Sequence, residues 1–369
     1  MEGAGPVVAV LGGGQLGRML GLAGIPLGLR FRFLDPSPDA AAAAVGALRV
    51  SSLHDADAAA ALAEGAVVVT YEWEGVPGPT ARAAGARAPL RPNARALEVA
   101  QDRLAEKTML ARLGLPVPAF APVDGRGGLD EAVGRLGLPA VLKTRRGGYD
   151  GKGQRVLRTA GDLDEAWAAL GDVPLILEEH VAFDRELSII AVRGLDGTTA
   201  CYPLVETEHG GGILRATRAP APGPAQGGQA AADAIARRVA DELDHVGTLA
   251  VELFERDGRL LVNELAPRVH NSGHWTIEGA VTSQFENHLR AILGWPLGSV
   301  EARGHSGMVN ALGTLPDRER VLAVTGAHLH DYGKGPHPGR KVGHVTVTAD
   351  TTTARDQGLA AIRAVVDGR

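Results

Sequence analysis

Cysteine is almost absent: Cys201 is the only one in 369 residues. That removes any internal disulfide and fits a reducing compartment. With no motif around it, Cys201 reads as packing rather than as a nucleophile. Aromatic residues make up only 4% of the chain, which leaves little surface for stacking bases. The net charge is −5, with Lys and Arg dispersed, so no basic stripe points to nucleic acid as a partner. The apolar run Val7–Leu11 is far too short for a signal peptide or a membrane span, and the expected location is the cytoplasm. Lysine is scarce as well: five of 38 basic residues, namely Lys107, Lys143, Lys152, Lys334 and Lys341. Arginine serves surface ion pairs and solubility about equally well, so a remaining lysine points to a place that needs a compact ammonium.

What is present describes a globular α/β protein of two or three domains. Apolar runs at Val7–Leu11, Leu29–Leu34 and Ala66–Thr70 read as buried strands. Helical patterns at Gln15–Ala23, Asp39–Ala44 and Asp55–Glu64 lie between them, which implies a parallel sheet covered on both faces. Asn93 caps a helix running to about Leu113. Further strands are expected at Ala140–Lys143, Leu175–Glu178 and Leu187–Val192, a surface loop at Ala219–Gly228 and a helix at Gln229–Leu243. A hairpin follows at Leu249–Leu265, with strands near His305–Ala311 and His344–Val347.

Several segments carry chemistry. Gly12-Gly13-Gly14-Gln15-Leu16-Gly17 follows the first strand and fits the dinucleotide pattern, with Asp35 near the expected ribose position. Small residues there also let amides approach any phosphate, so a nucleotide monophosphate or a plain tight turn fits as well. Glu72, in Thr70–Glu74, stands at the carboxyl end of a parallel strand, the edge where ligands bind. The stretch Arg145-Arg146-Gly147-Gly148-Tyr149-Asp150-Gly151-Lys152-Gly153-Gln154 is a flexible flap whose amides can wrap polyphosphate, and Lys143 feeds it. Glu178-Glu179-His180-Val181, followed by Glu186, can offer backbone groups to adenine and a carboxylate to ribose.

Glu252 and Glu264 flank the hairpin, and two acids in apolar strands suit a hard cation such as magnesium. Their cooperation depends on register. A two-residue turn at Asp257-Gly258 pairs Glu252 with Asn263 and sends Glu264 to the other face. A three-residue loop with Gly258 left-handed pairs Glu252 with Val262 and places the acids diagonally on one face, about 7 Å apart. The second register is the expected one. Directly after the hairpin, Arg268, His270, Asn271, Ser272 and His274 crowd hydrogen-bonding groups suited to a small planar oxyanion. Arg340-Lys341 opens a late strand and adds a further anion-binding pair.

Taken together, the flap, the acid pair and the Arg268 loop resemble an ATP-grasp enzyme. Gly-Gly-Gln-Leu-Gly, Gly-Gly-Tyr-Asp-Gly-Lys-Gly, Asn263 to Trp275 and Gly-Arg-Lys-Val-Gly-His are similar to the N5-carboxyaminoimidazole ribonucleotide synthetases across nearly the whole chain. The resemblance implies an N-terminal α/β domain at 1–95, an ATP-grasp domain at 96–298 with a lid at about 117–181, and a small C-terminal domain at 299–369. It also implies a homodimer that carboxylates 5-aminoimidazole ribonucleotide with ATP, Mg2+ and bicarbonate. ATP would be held by Arg103, Lys143, the flap from Gly148 to Gln154, Glu178, Glu179, His180, Val181, Glu186, His209, Asn263 and Glu264. The ribonucleotide would meet Gln15, Leu16, Glu72, Tyr149, Lys152, Arg340 and Lys341. Asp150, Arg268, His270, Asn271 and Ser272 would surround bicarbonate, Lys341 would join the catalytic set, and Glu252 with Glu264 would bind the metal. Relatives often carry a metal-binding Asn where this chain has Ala266, so the two glutamates would hold the cation with phosphate oxygens and water alone. Rival readings are another ATP-grasp ligase, an NAD-dependent oxidoreductase and a non-catalytic nucleotide sensor.

Overall fold

The computed structural model describes residues 5–148, 151–223 and 228–368. The expected parallel sheet forms first, in the order Ala47–Val50, Arg30–Asp35, Val7–Leu11, Val68–Tyr71. Strand Val7–Leu11 is buried throughout because helices cover both faces. Helix Ala56–Ala63 starts where Asp55 accepts the Ala58 N–H at 2.9 Å. Two elements escape the periodicity: the short edge strand Ala47–Val50 and helix Gly78–Gly85, whose entry carries proline. The helix expected at Asp39–Ala44 shrinks to a single 3-10 turn, Ala41–Ala44.

The helix expected from Asn93 to Leu113 is two helices, Ala94–Ala100 and Arg103–Arg112. Asn93 caps the first, and Asp102 caps the second by accepting the Leu104 and Ala105 amides. The second helix packs against the hairpin strand Arg259–Ala266.

A second sheet is antiparallel: Phe120–Val123, Leu175–Glu179, Ala140–Thr144, Gln154–Leu157. The flap joins its last two strands. The third sheet has nine strands and begins at one edge with the hairpin Arg259–Ala266/Gly247–Arg256, followed by Arg185–Arg193. The C-terminal segment builds no sheet of its own. Its strands His305–Leu312, Lys341–Ala349 and Ala327–Asp331 extend the nine-stranded sheet from Ile213–Ala219. Residues after about 345, which carry no readable pattern, complete that last long strand and form helix Thr352–Val366. Leu359 and Ile362 of this helix pack on Val345 and Val347.

The hairpin corrects the expected register. Arg256 pairs with Arg259 across a two-residue turn, with Asp257 (φ 52°) and Gly258 (φ 71°) both left-handed. Gly258 is left-handed as expected, but the three-residue loop is absent. A two-residue turn alone would separate the acids. Between Leu253 and Glu252 the register shifts by one, because Asn263 is an extra residue in the second strand. The bulge makes Glu252 and Glu264 a direct cross-strand pair on one face.

Candidate active site

The three sheets enclose an open cleft of about 520 Å³, lined from all three parts of the chain. Its lid side carries Lys143, Glu178, Glu179, His180 and Val181, with Gly151, Lys152 and Gln154 of the flap. Gly148 and Gly153 do not line it; they fold the flap instead. A Cβ on Gly153 (φ +71°) would lie 2.6 Å from the Thr144 hydroxyl, and one on Gly148 would lie 2.9 Å from the Lys152 carbonyl. Tyr149 and Asp150 lie outside the described residues.

Glu178, only 2% exposed, is the electrostatic centre of the lid side. Its carboxylate accepts the Lys143 ammonium at 2.9 Å and lies 3.6 Å from Lys107. Burial alone would raise its pKa, but the ammonium groups of Lys143 and then Lys107 outweigh it and hold it at about 2. The folded-state value is below the ordinary 4.5, so the pair stabilises the fold above pH 4.5 and loses that contribution as pH falls towards 2. The stability difference between the wild type and Glu178→Gln, measured by urea unfolding, should therefore be about 2 kcal/mol narrower at about pH 3 than at about pH 6. A difference independent of pH would show that the pair is not charged as described.

Behind the lid side, Glu186 bonds His209 at 3.0 Å. Burial opposes protonation of His209, but that hydrogen bond together with the nearby carboxylates of Glu252 and Glu186 outweighs it and raises its pKa. Glu252 and Glu264 come next. Burial first, and Glu264 second, push the Glu252 carboxyl up to about 7, as expected for acids facing one another without a cation. Arg103 approaches Glu264 at 3.4 Å. Among the described residues no group of three or more His, Cys, Asp or Glu side chains is arranged to hold a metal. Two paired carboxylates open to the cleft fit a hard cation whose other positions are filled by phosphate and water.

The loop after the hairpin adds Arg268, His270 and Asn271 to the lining. Arg268 pairs with Glu74 at 3.0 Å, yet its buried Nε–H has no protein partner. Both amide atoms of Asn271 are likewise buried without partners, and both residues line the cleft. Such groups call for a ligand. His270 Nε2 lies 3.4 Å from Glu252, and burial lowers its pKa well below the usual value, so the ring is neutral. Ser272 departs from its expected place. Its buried hydroxyl bonds His270 Nδ1 at 2.8 Å and Ser188 at 2.8 Å, orienting the imidazole from behind rather than lining the cleft.

On the N-terminal side the glycine loop is tight because a carboxylate fills it. Glu72 Oε1 accepts the Gly14 N–H at 2.9 Å and Oε2 the Gly17 N–H at 3.2 Å. A Cβ on Gly12 (φ +104°) would lie 2.7 Å from Glu72. Asp35 takes the Gly13 N–H at 2.8 Å. Amides bonded to acids are not offered to a pyrophosphate, and Asp35 is turned to the loop, so the dinucleotide reading falls. Gln15, Leu16, Glu72 and Lys341 line the cleft, while Arg340 is exposed outside its lining. Lys334, which carries no motif, bonds the Gln15 side chain; burial lowers its pKa, and Glu72 partly restores it. Lys334, Glu74 and Lys107 are the charged groups that sequence reasoning missed. Only the scarcity of lysine singled out two of them.

The four-stranded antiparallel sheet and the nine-stranded sheet that close on one cleft, with the acid pair between them, are the architecture of an ATP-grasp ligase. Residues 108–285 match the ATP-grasp domain family, residues 6–101 the ribonucleotide synthetase preATP-grasp domain, and residues 306–358 the phosphoribosylaminoimidazole carboxylase C-terminal domain. The N5-carboxyaminoimidazole ribonucleotide synthase of Pseudomonas aeruginosa is 50% identical over 360 residues, covering 98% of this chain and 99% of its own. The crystal structure of the Thermus thermophilus synthetase is 57% identical with a TM-score of 0.94, covering 97% of this chain and 98% of its own. An Aspergillus clavatus synthase in complex with ADP and 5-aminoimidazole ribonucleotide is 33% identical with a TM-score of 0.93, covering 99% of each chain. This chain belongs to the N5-carboxyaminoimidazole ribonucleotide synthase family.

Proposed function

We propose that the chain joins bicarbonate to 5-aminoimidazole ribonucleotide at the expense of ATP, giving N5-carboxyaminoimidazole ribonucleotide, ADP and phosphate in purine biosynthesis. One observation carries this reading. Arg268, with its unpartnered Nε, and Asn271, with its unpartnered amide, line the same cleft as Lys143, Glu178 and Glu72. A small oxyanion held there sits where ATP and a ribonucleotide could both reach it. The rival oxidoreductase has lost its phosphate loop to Glu72 and Asp35. A non-catalytic sensor would not need the Glu252–Glu264 pair.

In this assignment Lys143, Lys152 and Arg103 hold the polyphosphate, and Glu178 to Val181 hold the adenosine. A bicarbonate oxygen, aimed by Arg268, His270 and Asn271, bonds the γ-phosphorus as the bond to ADP breaks. The resulting carboxyphosphate splits to carbon dioxide and phosphate within the cleft. The substrate's amine nitrogen then bonds the carbon and releases a proton. Gln15, Leu16, Glu72, Lys334 and Lys341 position the ribonucleotide for that step. Magnesium bound by Glu252 and Glu264 would supply charge neutralisation on the transferring phosphoryl group. Protein catalysis here is mostly alignment and electrostatics.

Phosphate release tests the reading. It should require ATP, magnesium, bicarbonate and aminoimidazole ribonucleotide together. Release that persists without the ribonucleotide, or that follows formate instead of bicarbonate, would overturn it. Assembly as a homodimer is part of the same reading and is checked by light scattering. No helix among the described residues is long and apolar enough to cross a membrane.

A further inference from the structure

A β-bulge disrupts a ladder, and the groups it frees need other partners. Around Asn263 these come from one face of helix Arg103–Arg112, whose positions 103, 106 and 107 are spaced i, i+3 and i+4. Arg103 meets the Glu264 carboxylate at 3.4 Å. Glu106 accepts the Leu265 N–H at 3.1 Å. Lys107 donates to the Asn263 carbonyl at 2.6 Å and to the Val262 carbonyl at 3.2 Å.

Lys107 is the informative member. Its side chain is 1% exposed and is not among those that line the cleft, so it does not face the space a ligand would fill. Burying an ammonium is costly unless every donor is matched. Here two carbonyls on either side of the shifted register and the Glu178 carboxylate, 3.6 Å away, match it. Its compact head with three donors suits that spot, where a planar guanidinium is broader. The register matters because the Arg256–Arg259 turn, continued without a bulge, would pair Glu252 with Asn263 and turn Glu264 to the opposite face.

We infer that Lys107 is a positioning residue: it pins the bulge at Asn263, so holding Glu252 and Glu264 on one face, and ties that register to the nucleotide end through Glu178. The inference rests on the reading of Glu252 and Glu264 as the cation clamp. Full-length wild type, Lys107→Met and Glu264→Gln are compared for Mn2+ binding in the presence of ADP, read by electron paramagnetic resonance, with thermal melting alongside. Lys107→Met should melt cooperatively and weaken Mn2+ binding at least about tenfold, the scale seen when outer-shell partners of a metal are removed. Its KM for the ribonucleotide should stay unchanged, because the Glu72 side is untouched. Should Lys107→Met fail to fold, Lys107→Gln, which keeps an N–H donor of similar reach, is measured in its place. Weakened Mn2+ binding in both the Lys107 variant and Glu264→Gln supports the inference. If Glu264→Gln weakens Mn2+ binding and the Lys107 variant melts lower but binds Mn2+ normally, Lys107 is only structural and the inference fails. If Glu264→Gln itself binds Mn2+ normally, the cation clamp fails first.

Discussion

Glu264→Gln should leave a folded protein that no longer turns over ATP, with a loss on the order of 1,000-fold or more. The side chain is partly open to the cleft and keeps its shape as an amide, so packing is preserved. Glu264 faces Glu252 directly across the hairpin. Removing one charge leaves a single carboxylate to hold a divalent cation, with no group of three His, Cys, Asp or Glu among the described residues arranged to replace it. The same substitution relieves Glu252, whose carboxyl is pushed up to about 7 by burial and then by Glu264. Stability should therefore stay level or rise while turnover vanishes. Melting temperature and single-turnover ADP formation, measured on one preparation, separate the two effects. Turnover within about tenfold of the wild type would remove Glu264 from the metal site.

Period and punctuation made most of the architecture legible. Strands Val7–Leu11, Ala140–Thr144 and His305–Leu312 stand where apolar runs placed them, and Asn93 caps its helix. The failures have physical reasons. Asp102 sits inside a helical pattern, and a side-chain cap divided the helix where periodicity saw none. The hairpin register could not be read because a bulge costs one residue and leaves no mark in the hydrophobic alternation. Both readings of the turn were internally consistent. The partners that select the outcome, Glu106 and Lys107, lie about 160 residues away along the chain.

Charged residues followed a similar rule. Acids at strand ends were visible as ligand candidates, and Glu72, Glu178 and Glu252 do meet in one cleft. Their partners were not visible, since ion pairs such as Arg268 with Glu74 join distant segments. Which of the open readings of the glycine loop holds was not visible for the same reason. Its small residues do admit a carboxylate, but that carboxylate is Glu72 of the protein itself.

Arg268→Ala should keep ATP binding and remove bicarbonate-dependent phosphate release by about a hundredfold or more. Losing one charged hydrogen bond to a developing oxyanion in a dry site costs about 3 kcal/mol. The guanidinium is already committed on two sides, to Glu74 at 3.0 Å and to the Val269 carbonyl at 3.0 Å, which fixes its plane. Its buried Nε–H is left for the ligand. Truncation also strands Glu74, a buried acid whose pKa is raised by burial and restrained chiefly by Arg268. Part of any lost activity could then reflect disturbance near Glu264 rather than loss of the oxyanion contact. Adding Glu74→Gln separates them. The double variant should recover the melting temperature of the wild type, because the stranded charge is gone, and still show the hundredfold loss at limiting bicarbonate. Arg268→Lys keeps a charge beside Glu74 without the fork and should remain close to the alanine variant in rate. If the double variant regained carboxylation, Arg268 would serve only to neutralise Glu74, and bicarbonate would have to be placed elsewhere in the cleft.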